Sequence, residues 1–106
     1  MHVAAANFFF ASMLGADVPE GINPQELEST VKTKAEASKM LKMSVEHARK
    51  AIEKTPAASL EDEIDLFGNK STKMGLVLLI GDHANEHLGQ LIAYARSSDV
   101  VPPWSN

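Results

Sequence analysis

Apolar residues recur at steps of three and four through three long stretches of this chain, the pattern of helices that each bury one face. In the first, from His2 to Leu14, the recurring positions are Val3, Ala6, Phe9, Phe10 and Met13, and Gly15 is a natural stop. Ala16 to Ile22, with Pro19 and Gly21, reads as a loop. The second helix has a defined start. Asn23 can cap it, Pro24 suits the first helical position, and Glu26 can reach back to the cap. Leu27, Val31, Ala35, Ser38, Leu41, Val45, Ala48 and Ile52 then mark one face, and Pro56 ends the helix near Lys54.

Pro56 to Asn69 reads as a connector, with a short turn of helix over Leu60–Phe67 that Gly68-Asn69 breaks. The third long helix starts near Ser71 or Thr72 and runs to about Ser97. Its apolar face carries Met74, Val77, Leu78, Gly81, Ala84, Leu88, Leu91, Ile92 and Ala95. As the most hydrophobic element it is expected at the centre, so that Leu88→Asp unfolds the protein. The tail Val101-Pro102-Pro103-Trp104 is extended, and Trp104 is expected to pack back on the helices. No strand-like alternation of useful length is present. The pattern therefore predicts a single all-α domain over residues 1–106, an up-down bundle of three long helices. Four helices would cover such broad apolar faces better than three, which points to completion by a partner copy.

Composition narrows the function classes. The 106 residues are 44% hydrophobic and 23% charged, as in an ordinary globular domain. A net charge of -4 with Lys and Arg scattered among acids argues against nucleic-acid binding. No stretch reaches the length of a membrane span, and the apolar start lacks the basic residues of a signal peptide. The absence of cysteine excludes disulfides, thiolate metal sites and a Cys nucleophile, and fits a cytoplasmic protein.

His83 and His87 are the strongest chemical signal. Their i, i+4 spacing puts both rings on one helix face, where their nitrogens can converge on one ion. Ile80, Leu91 and Tyr94 share that side, so the pair should point inward. Neutral imidazoles suit zinc, nickel, iron or copper. A third ligand must come from elsewhere, and His2 and His47 are the other histidines. Among its charged neighbours His47 reads as solvent-facing. Glu86 makes the segment match the inverted metalloprotease pattern H-x-x-E-H, but that fold needs a much larger chain. Asn7 either hydrogen-bonds near the site or satisfies a buried backbone group. Met40 and Met43 read as core or boundary residues.

The segment Gly81-Asp-His-Ala-Asn-Glu-His-Leu-Gly-Gln-Leu-Ile-Ala-Tyr-Ala-Arg96, followed by Val100-Val-Pro-Pro-Trp-Ser105, resembles the C-terminal signature of the DinB-like family. There, a helix with His-x3-His, Gly-Gln and Tyr-x-Arg leads into a Pro-Pro tail. His2-Val-Ala-Ala-Ala-Asn-Phe-Phe resembles that family's second helix, and the middle through Lys73-Met-Gly also fits, so the likeness covers nearly the whole chain. It implies a four-helix bundle binding a divalent metal (zinc, nickel, iron or manganese) through His2, His83 and His87. Two departures stand out. The chain begins where the family's second helix does, and Ser97-Ser98-Asp99 replaces the usual Asn-Gly-type turn.

Members of that family include thiol-dependent transferases and isomerases. The resemblance therefore implies a metal-dependent enzyme using a small-molecule thiol, with Asn85, Glu86 or Gln90 orienting a ligand ring. The contrasting expectation is a non-catalytic, shortened dimerisation module whose metal site has decayed. On either reading Val3, Phe8, Phe9, Phe10, Met13 and Leu14 are too many apolar side chains for one side of a helix. A homodimer with the first helix at its interface, or exchanged between copies, is expected.

Overall fold

The computed structural model describes residues 1–104; Ser105, the last residue of the signature quoted above, lies outside them. Among the described residues there are four α-helices and one β-hairpin: α1 (His2–Met13), α2 (Leu27–Thr30), α3 (Lys34–Lys54), β1 (Glu63–Leu66), β2 (Asn69–Thr72) and α4 (Lys73–Ser97). Single 3-10 turns precede α2 at Pro24–Glu26 and follow α3 at Ala57–Ser59.

The hairpin corrects the all-α expectation. β1 and β2 pair antiparallel with Leu66 opposite Asn69, which leaves a two-residue turn of Phe67 and Gly68. Both have positive φ, +55° and +81°, as a type I′ turn requires. The backbone amide of Gly68 donates to the Asp65 carboxylate at 2.9 Å. Glu63 and Asp65 face out while Ile64 and Leu66 face in, so the segment read as a helical turn has the period of a strand. Its four residues are too few for that period to stand out. Ile64 and Leu66 pack on Phe10, Ala48, Leu76 and Ile80, which is what holds so short a hairpin. Phe67 has a bulky side chain where Asn or Gly is usual, a strain of about 1–3 kcal/mol.

The second predicted helix is two. The chain is extended at Val31 and restarts at Thr33 with a capping box: the Glu36 amide donates to Thr33 Oγ1 at 3.2 Å, and the Thr33 amide donates to Glu36 Oε2 at 3.0 Å. Leu27, Val31 and Ala35 keep a helical step across this break, which hid it. The restart also rotates the face of α3. Ser44, Ala48 and Ala51 are buried, whereas Val45 is exposed.

The first helix is apolar nearly all round, and the structure uses two of its sides. Ala4 and Phe8 bury against Leu27, with Val31, Met40 and Met43 around them. Phe10 buries on the other side, with Ala48, Leu76 and Ile80. Helix α1 is therefore the central element, not α4. The buried Asn7 lies on the seam with α3 and donates to Ser44 Oγ at 3.2 Å; Ser44 in turn donates to the Leu41 carbonyl at 2.8 Å. Neither role expected for Asn7 is the one it plays. Among the apolar residues of α1 that seemed to need a partner copy, Phe9 is the large one left exposed.

Helix α4 starts as expected, with its Gly75 amide donating to Thr72 Oγ1 at 3.1 Å. Only Leu76 and Ile80 of its 25 residues are buried. Leu78, Leu88, Leu91 and Tyr94 are exposed, so Leu88 is no unfolding switch. The helix ends where Asp99 takes φ +57° and the Val100 amide donates to the Ala95 carbonyl at 2.9 Å. Aspartate tolerates that left-handed conformation and fills the place of the expected Asn-Gly turn. In the tail it is Pro102 that is buried; Trp104 is exposed. Among the described residues no helix is long and apolar enough to cross a membrane.

Candidate metal centre

The three histidines come from two elements whose packing sets their meeting. His2 stands in the first turn of α1, where the Ala5 amide donates to the Met1 carbonyl at 3.0 Å. His83 and His87 lie on α4 in the turns that follow Ile80, the last buried residue of that helix. Because Phe10 of α1 packs against Leu76 and Ile80, the start of α1 falls beside the next two turns of α4. The Phe10 ring stands at 89° to the His83 ring with centroids 5.8 Å apart, fixing its position from one side.

The geometry is tight. His83 Nε2 lies 3.2 Å from His2 Nε2 and 3.2 Å from His87 Nε2. One nitrogen of each ring lies within 4.8 Å of the other two. A tetrahedral ion with bonds of about 2.0–2.1 Å needs its donor nitrogens about 3.3–3.4 Å apart. Two edges of this triangle fit that spacing.

Protons alone satisfy the cluster poorly. Gln90 Nε2 donates to Glu86 Oε1 at 3.3 Å, which turns Gln90 Oε1 toward His87 Nδ1 at 3.0 Å. In the neutral imidazole that places a proton on Nδ1 of His87 and a lone pair on its Nε2, aimed at the centre. His83 Nε2 has at most one proton to share between two contacts. A single cation at the centre would satisfy all three lone pairs.

The electrostatics favour a neutral His83. Burial, then the neighbouring His87 and His2, hold the His83 pKa below its ordinary value, against the opposing pull of Glu86. Nδ1 of His83 is buried and has no hydrogen-bond partner among the described residues, so none of them fixes its tautomer as Gln90 fixes that of His87. His2 is exposed and His83 and His87 half-buried, so the centre opens to solvent on one side. Three protein ligands with an open position is the arrangement of reactive rather than purely structural metal sites.

The structure thus brings together the three histidines that the resemblance named. His47 is elsewhere. It lines a cleft with Leu14 and Gly15 at the other end of α1, its ring 5.4 Å from that of Phe8, and it is half-buried rather than solvent-facing. Of the residues expected to orient a ligand ring, Gln90 meets the His87 ring with Glu86 behind it, while Asn85 lines a separate cleft with Leu78 and Gly81. Phe67 was missed. It stacks on Phe9, beside His2 and His83, and the signal available was the alternation of Ile64 and Leu66 ahead of Gly68. No family model, curated protein or solved structure matches this chain.

Proposed function

We propose that the protein binds one divalent metal ion (zinc, nickel, iron or manganese) through His2, His83 and His87 and uses it in thiol-dependent transfer chemistry of the DinB-like kind. The convergence of the His2 and His87 Nε2 atoms on His83 Nε2, each at 3.2 Å, carries this reading. The segment from Gly81 to Arg96 carries the family resemblance. A divalent ion held there supplies Lewis acidity, which lowers the pKa of a water or thiol bound to it. The chain's own part is to favour a neutral His83, to orient His87 through Gln90 and Glu86, and to leave one side open. A low-molecular-weight thiol calls for a reducing compartment, so a cytoplasmic location belongs to the same proposal.

Loading with cobalt(II) and adding a small thiol tests it. A thiol-dependent change in the visible spectrum, absent from His83→Ala, is expected. A spectrum indifferent to thiol would remove the transfer reading while leaving metal binding in place.

A second reading, a non-catalytic dimerisation module, is favoured by the exposed Leu78, Leu88, Leu91 and Tyr94 of α4. A homodimer through the exposed later turns of α4, where Leu91 and Tyr94 border a cleft that His2 and His87 also line, is compatible with either reading. It predicts that Leu88→Glu lowers the sedimentation mass, whereas Lys39→Glu leaves it unchanged.

A further inference from the structure

Beside the histidines, on the hairpin side, lies an open cleft of about 450 Å³. Ala5, Ala6, Phe9, Phe10, Phe67 and Leu79 form most of its wall, and His2 and His83 close the end nearest the metal centre. Among the described residues no Lys, Arg, Asp or Glu lines it. Its volume falls in the range of small-molecule sites.

The aromatic rings are arranged as a shelf. Phe67 stacks on Phe9 with centroids 5.9 Å apart and planes 23° from parallel, and meets Phe10 edge-on at 6.4 Å. Phe9 and Phe67 are 44% and 66% exposed, so their faces are open to a ligand rather than spent on the core. The turn holds Phe67 at φ +55°, where Asn would be easier. A side chain kept at a strained position, with its ring exposed next to candidate ligands, points to a role outside folding.

We propose that this cleft receives an uncharged aromatic group of the substrate, its ring against Phe9, Phe10 and Phe67 and its polar end toward His2 and His83. Only the destination of the polar end rests on the metal reading. The ring site stands on the cleft itself. In the metal-free chain an anionic ring would lose hydration there without finding a cation among the lining side chains, so the ring site itself selects against charge. Phe67 is the specificity-determining residue: it supplies the outermost face of the shelf.

The test uses the metal-free full chain and the uncharged fluorescent probe N-phenylnaphthylamine. Saturable one-to-one binding is expected, displaced by naphthol and about tenfold less effectively by naphthoate. Phe67→Asn should weaken the probe by about tenfold or more, while zinc stoichiometry is unchanged and the melting temperature is equal or higher. No saturable binding, equal binding by Phe67→Asn, or equal displacement by naphthoate would each overturn the proposal. Binding that appears only as a dimer is diluted would assign the cleft to a second copy, and also overturn it. A protein that takes up no zinc yet binds the probe, and loses it with Phe67→Asn, would uphold the ring site while ending the metal reading.

Discussion

The two ends of α4 live in different surroundings. Leu76 and Ile80 are sealed against Phe10 and Ala48, whereas Leu88, Leu91 and Tyr94, on later turns of the same helix, are exposed. His83 and His87 sit where the first environment gives way to the second. The packed part can fix their positions, and the open part lets a ligand reach them. Stability should therefore concentrate around α1, and substitutions past Ile80 should change binding far more than folding.

The largest structural effect is expected inside the packed region. Phe8 is fully buried, and Phe8→Ala should destabilise the chain by about 3–5 kcal/mol, read as a lower midpoint in urea unfolding. A loss under about 1 kcal/mol would mean that the core around α1 is loosely packed. Next comes the capping box that separates α2 from α3. Thr33→Ala removes the acceptor for the Glu36 amide and should cost about 1 kcal/mol by the same measurement. The smallest effect is expected on the open part: Leu88→Asp should change stability by no more than about 0.5–1 kcal/mol. Unfolding by that substitution would show the later turns of α4 to be buried in solution, as a dimer through them requires.

The boundary between the two regions has its own pH signature. The His83 pKa is lowered in the folded chain from its ordinary 6.5, chiefly by burial. As pH falls below that value, the unfolded chain takes up a proton that the folded chain resists. This contribution to stability is thus complete above about pH 6.5 and is lost as the pH falls from there through the lower folded value. Urea unfolding of metal-free protein should show the decline, and His83→Ala should flatten it. An equal slope in both proteins would assign the pH dependence to other groups.

Much of the site was legible because a helix turns spacing into direction. His83 and His87 at i, i+4 have to share a face, and Thr72 and Ser97 bound that helix as expected. The partner at His2 was not legible from spacing, since it depends on how α1 docks; only the family resemblance singled it out over His47. The hairpin was illegible for a different reason. Two inward residues, Ile64 and Leu66, make too short an alternation, and the turn is Phe-Gly where Asn-Gly would have announced it. Residues Thr33 and Glu36 did carry the signal for the break before α3, but the apolar step through Val31 masked it. The phase of α1 could not be read because Phe8 and Phe10 are both buried, on opposite sides of one helix.

The most direct test of the metal centre is a zinc titration of metal-free protein near neutral pH by calorimetry. One zinc per chain is predicted, lost in His2→Ala, His83→Ala and His87→Ala, weakened about 10–100-fold in Gln90→Ala, and unchanged in His47→Ala. No zinc uptake by the unaltered chain, or a loss on His47→Ala as large as that on His83→Ala, would contradict the assignment of His2, His83 and His87 as the ligands.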